Sequence, residues 1–83
     1  MKLVFDIEAN GLLPTVSKFH CAGAIDVDTG EAYWFRPHQF KEFLDLLDKP
    51  DTIIAHNAYG YDVPALDILS KTLLGVGWYP KAT

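Results

Sequence analysis

Residues 3–11 read LVFDIEANG, and their reading decides the fold. Leu3, Val4, Phe5 and Ile7 are strand-forming, and two carboxylates, Asp6 and Glu8, are set among them one residue apart. Side chains two apart on a strand share a face, so the two acids converge while Ile7 points away. Like charges held side by side cost free energy unless compensated, and a bound divalent cation is the common compensation. An acidic strand end fraying into solvent is the plainer alternative. The near-continuous apolar run marks this as a central strand, buried in a sheet. Asn10-Gly11 then signals a turn, with Leu12, Leu13 and Pro14 in a loop or short helical turn.

Outward from this strand, residues 19–27 (FHCAGAIDV) and 32–35 (AYWF) are β-prone runs joined by Asp28-Thr29-Gly30-Glu31, a hairpin signal. Pro37 suits a helix start, and Phe40, Phe43, Leu44 and Leu47 recur at i, i+3, i+4 and i+7, the pattern of an amphipathic helix that Pro50 stops. Residues 52–55 (TIIA) read as a short buried strand, and residues 56–60 as a polar loop. Asp62 and Pro64 open a second helix, Asp62 as its cap, with Leu66, Leu69 and Leu73 as its apolar stripe and Ile68 widening it. Gly75 and Gly77 end that helix, and Trp78-Tyr79-Pro80 reads as the approach to another element. A hairpin on one side of the first strand and a crossover helix leading to a strand on its other side give an α/β chain. The sheet order is 3-2-1-4.

In that sheet the carboxyl end of the first strand, with Asp6 and Glu8, lies beside the end of the fourth, which leads into His56, Asn57 and Asp62. Three carboxylates near one edge suit two-metal chemistry on a phosphodiester. Alone, Asp62 reads as a helix cap and Asn57 as a turn residue; their company with Asp6 and Glu8 gives the pattern its weight.

The chain has 83 residues, 49% of them hydrophobic, and a net charge of −4. That charge argues against a basic-patch nucleic-acid coat protein, not against an enzyme whose acids hold metal ions. Cys21 is the single cysteine, which excludes an internal disulfide and reads as a small buried strand residue in a reducing compartment. No apolar run approaches the roughly 18 residues of a membrane span, and the early acids do not fit a signal peptide. A soluble cytoplasmic protein without membrane contact is expected.

FDIEANGLL (residues 5–13) resembles the first motif of the DEDD, or DnaQ-like, 3′-5′ exonucleases, and HNAYGYDVPAL (residues 56–66) resembles their second. With a KFHC run, an FRP strand end and the second motif in order, the chain is most similar to the amino-terminal proofreading region of family A DNA polymerases of short-tailed phages. The resemblance implies a truncated ribonuclease H-like fold over residues 1–83, lacking the fifth strand and later helices, in a phage-infected bacterial host. It implies cleavage of nucleotides from a single-stranded DNA 3′ end. Asp6, Glu8 and Asp62 would be catalytic ligands of Mg²⁺ or Mn²⁺, with Leu12 against the terminal base and Asn57 near the terminal nucleotide.

The third motif of that family, a Tyr or His followed four residues later by Asp, occurs nowhere in the chain. Asp67, the one acid after Asp62, sits five residues on and so faces about 140° away on a helix. The expectation is a partial exonuclease domain, inactive alone and completed by the remaining polymerase polypeptide as another chain. An inactive remnant that binds a protein or a DNA end is the alternative.

Overall fold

The computed structural model describes residues 1–11, 13 and 15–81. Four strands, β1 (Lys2–Ala9), β2 (Phe19–Asp26), β3 (Ala32–Phe35) and β4 (Thr52–Ile54), form one sheet of order β3-β2-β1-β4. β1 is antiparallel to β2 and parallel to β4, and β2 is antiparallel to β3. Among the described residues two α-helices, α1 (Phe40–Leu47) and α2 (Val63–Leu74), accompany the sheet, so the α/β class and the expected strand order hold. The arrangement is compatible with a truncated ribonuclease H-like fold.

The hairpin closes as its composition dictates. Gly30 takes a φ of 77°, open to glycine without strain. Its N–H donates to the Asp26 carbonyl at 2.7 Å.

One face of the sheet is packed. Leu3, Phe5 and Ile7 of β1 alternate inward with Ala22 and Ala24 of β2, and all are buried. All five phenylalanines of the chain meet there. Phe43 of α1 stands 6.0 Å from Phe5, 5.9 Å from Phe19 and 5.2 Å from Phe35, ring centre to ring centre, and Phe40 lies 5.0 Å from Phe19. The Phe19–Phe43 rings stack and the other pairs are tilted, and aromatic pairs of either kind at such separations each add about 0.5–1.5 kcal/mol beyond the area they bury. Leu66 and Leu69 of α2 join the same core, both fully buried. Leu73 does not: it is exposed, because the helix runs past the end of the core.

The other face is open. Val4, Ile25 and Ile54 are 39%, 51% and 45% exposed, and Trp34 is 79% exposed. β1 is therefore central in the sheet yet buried on one side only, contrary to its apolar run. β4 likewise is an edge strand and partly exposed rather than buried. Cys21 is half-buried on this open face.

The segment after α2 folds back onto the helices. Trp78 is buried; its backbone N–H donates to Asp67 Oδ1 at 3.0 Å and its Nε1–H to Asp48 Oδ1 at 3.3 Å. The clasp ties the end of α1 to α2. Gly77 makes it possible, since a Cβ there would stand 2.8 Å from Asp67 Oδ1. No helix among the described residues is long and apolar enough to cross a membrane.

Candidate functional site

Asp6 and Glu8 are both exposed on the open face, at the carboxyl half of β1, and Phe5 and Ile7 are buried on the other side. The two-residue spacing thus places the acids as the strand period requires. Asp6 pairs across the sheet with Gly23, and Glu8 with Cys21. Together with Val4 and Trp34 they line an open hollow of about 330 Å³.

β4 runs parallel to β1, with Ile54 opposite Val4, so the chain leaving β4 travels toward the acidic end of β1. It does not form the expected polar loop. His56 and Asn57 are in a turn, and Ala58–Asp62 wind into a single π-helical turn that leads directly into α2. The Asn57 carbonyl accepts from the N–H of both Tyr61 (2.9 Å) and Asp62 (3.1 Å), which produces the wider turn. π-turns of this kind recur at functional sites.

Asp62 is 5% exposed and does not cap α2 through its side chain. Its backbone is already helical, and its Oδ2 instead accepts from the Asn57 N–H at 3.3 Å. The cap expected from the sequence is replaced by an inward carboxylate. Burial raises the Asp62 pKa above the ordinary carboxylate value; the Asn57 N–H opposes this, and the negative charge of Asp6 raises it further. The fold therefore brings Asp62 within electrostatic reach of Asp6, fifty-six positions away in sequence. Burial also raises the Tyr61 pKa, assisted by the charges of Asp62 and Glu8.

Tyr61 links the two acidic regions mechanically. Its hydroxyl donates to the Gly11 carbonyl at 2.7 Å, fastening the π-turn to the segment that follows β1. Nothing in the sequence pattern singled this residue out, because a tyrosine beside a motif acid reads as ordinary core. Asn57 is exposed and folds its amide over Gly60, where a Cβ would collide with Asn57 Oδ1. Asn10 orders the loop's return by accepting from the N–H groups of Ser17 and Lys18, both at 2.9 Å. Leu12, the residue expected against a terminal base, lies outside the described residues.

Carboxylate oxygens are the donors that Mg²⁺ and Mn²⁺ take, and Asp6, Glu8 and Asp62 match them in kind. In position they are not gathered: among the described residues no three His, Cys, Asp or Glu side chains stand close enough to hold an ion. Asp67 is committed elsewhere, to the Trp78 N–H and to a 3.1 Å ion pair with Lys71, whose hydrogen bond holds its carboxyl below the usual range.

No family model matches the chain. It is 45% identical over 76 residues to the DNA-directed DNA polymerase of Escherichia phage T7. It is 46% identical over 76 residues to the polymerase of the same name from Enterobacteria phage T3. Each match covers 87% of this chain and 11% of the polymerase, so the similarity is to one segment of a phage DNA polymerase.

Proposed function

We propose that this chain is the amino-terminal portion of a metal-dependent 3′-5′ DNA exonuclease that proofreads for a phage DNA polymerase, completed by further polymerase polypeptide as another chain. The observation that carries the reading is the placement of Asp6 and Glu8 on one open face at the end of β1 toward which the chain leaving β4 runs before the turn that buries Asp62, in a chain similar to phage polymerases.

In this reading Asp6, Glu8 and Asp62 would hold Mg²⁺ or Mn²⁺, whose chemistry is to activate a water and stabilise the leaving oxygen of a phosphodiester. The chain's own part is placement. β1 presents two carboxylates rigidly at a fixed spacing, and the π-turn sets the third inward where ionisation is disfavoured until positive charge arrives. The Tyr61–Gly11 bond holds the turn and the segment after β1 in register. Asn57 and Leu12 would contact the terminal nucleotide of a single-stranded 3′ end. Capture of one strand end needs no broad basic surface, which suits a net charge of −4. The cytoplasm of an infected bacterium would be the place of action.

In this reading the third motif, which the sequence does not contain, comes from the other chain, so catalysis waits on a group supplied there. The test is reconstitution. The chain is mixed with the portion of a matched phage polymerase that follows the similar segment, and end-labelled single-stranded DNA is supplied with Mn²⁺. Shortening from the 3′ end should occur in the mixture only and vanish with Asp6→Ala. Digestion by the chain alone, or by a mixture carrying Asp6→Ala, would overturn the reading. A complex that forms but never digests DNA would favour an inactive remnant that binds protein.

A further inference from the structure

Cross-strand pairing arranges the open face in rows. Lys2 lies opposite Thr52 and beside Val27, whose N–H donates to the Lys2 carbonyl at 2.9 Å. The next row, Ala32, Ile25, Val4 and Ile54, is apolar across all four strands. The row after it holds Trp34, Gly23 and Asp6, the indole lying over Gly23 so closely that a Cβ there would meet its ring at 2.9 Å. Lys2 and Asp6, of opposite charge, stand two residues to either side of Val4 and hence at equal distances along the strand.

We propose that this face closes on a second copy of the chain, about a two-fold axis lying along the row of Val4. Such an axis reverses strand direction and lays that row on its own image: Val4 meets Val4, Ile25 meets Ile25 and Ile54 meets Ile54. The same rotation carries Lys2 onto Asp6 of the second copy and Asp6 onto its Lys2. Val27 comes down on the Trp34 ring, and the ring receives Val27 in return. Every contact occurs twice, as an isologous interface requires. Two sheets stacked this way sit about 10 Å apart with strands within about 30° of alignment.

The charge order selects this occupant. A foreign partner would have to bring a cation over Asp6, an acid over Lys2 and an apolar band between them. The chain's own face carries that sequence already, in the order its image needs. Exposed aliphatic side chains contiguous across four strands are otherwise rare on a monomer. Glu8, beyond Asp6 at the rim, stays outside the paired rows. This proposal does not rest on the nuclease reading: the pairing takes Asp6 and the open face out of reach of metal, DNA and a completing chain, so it describes the chain before any of them arrives, and it is tested without DNA or metal.

The experiment is light scattering behind size exclusion, over a range of chain concentrations in a chelator. The mass should rise from that of one 9.3 kDa chain to that of two. Val4→Asp, on the axis, should remain monomeric throughout. Lys2→Glu and Asp6→Lys should each raise the dissociation constant at least about tenfold by setting like charges together. The double variant Lys2→Glu/Asp6→Lys should return it to within about threefold of the original, since the pair is merely inverted. These side chains are exposed, so circular dichroism should show all variants folded. Trp34 emission should shift to shorter wavelength on association, Trp78 being buried already. A single-chain mass at every concentration, association untouched by Val4→Asp, or failure of the double variant to recover overturns the proposal. So does a chain that pairs only with a different polypeptide.

Discussion

Val4 and Phe5 are neighbours on one strand and belong to different worlds. Phe5 is 3% exposed, under the aromatic cluster of α1 and β2; Val4 is 39% exposed on a face that no described element covers. The packed face holds the chain together, and the open face carries the candidate site: Asp6 and Glu8 stand there, in the same row pattern as the aliphatic residues. The difference teaches that the carboxylates do not come from a frayed strand end. They are held on a central strand paired on both sides, with a covered core behind them and a surface around them that no described element covers.

The sharpest way to break this contrast is to truncate both neighbours. Phe5→Ala removes a buried ring and should cost about 3–5 kcal/mol, enough to unfold much of a small domain. Val4→Ala, measured in dilute solution where the chain is single, should cost about 1 kcal/mol or less. Urea unfolding followed by circular dichroism reads both; equal costs would mean that the open face is packed in solution.

The carboxyl-terminal clasp comes next in size. Gly77→Ala would press a methyl group on Asp67 Oδ1 and should cost about 1–2 kcal/mol by displacing Trp78, seen as a red shift of its fluorescence. An unchanged spectrum and midpoint would show that the clasp does not hold.

Two acids should respond oppositely to pH. Asp62 is held above the ordinary value of 3.8, chiefly by burial, so its ionisation opposes folding as pH rises past that value. Asp62→Asn should therefore raise the urea midpoint at neutral pH, with the gain disappearing below 3.8. Asp67 is held below 3.8, chiefly by Lys71, so its contribution is present above that value and lost as pH falls through its lowered pKa. Asp67→Asn should lower the midpoint at neutral pH and cease to matter in acid. Both midpoints moving the same way at neutral pH would contradict the assignment. The smallest effect belongs to Gly23→Ala. Its Cβ would push the Trp34 ring off the sheet, but that exposed ring has room to swing, so the cost should stay under about 1 kcal/mol.

Much of this architecture is legible in the sequence. The period of two in residues 5–8 places the acids on one face, the hairpin follows from two β-prone runs around Gly30, and the spacing of Phe40, Phe43, Leu44 and Leu47 marks the buried side of α1. Sidedness is where the sequence misleads. In Leu3-Val4-Phe5 and Ile53-Ile54-Ala55 every residue is apolar, so no polar partner betrays which of them faces outward, and β1 and β4 both read as buried. The site is legible in its residue types but not in its local geometry. Asp62 reads as a helix cap because the extra residue of a π-turn leaves no mark in composition; only the shared Asn57 carbonyl shows it. Tyr61 and the Trp78 clasp depend on partners 50 and 11 positions away, beyond any local pattern.

The most direct test is a Mn²⁺ titration of the dilute chain, followed by the relaxation of water protons. The account predicts weak binding, about millimolar as for an unfinished carboxylate site, that is lost in Asp6→Asn/Glu8→Gln and weakened in Asp62→Asn. Binding that survives the double substitution unchanged, or no binding by the original chain at concentrations well above that range, would contradict it.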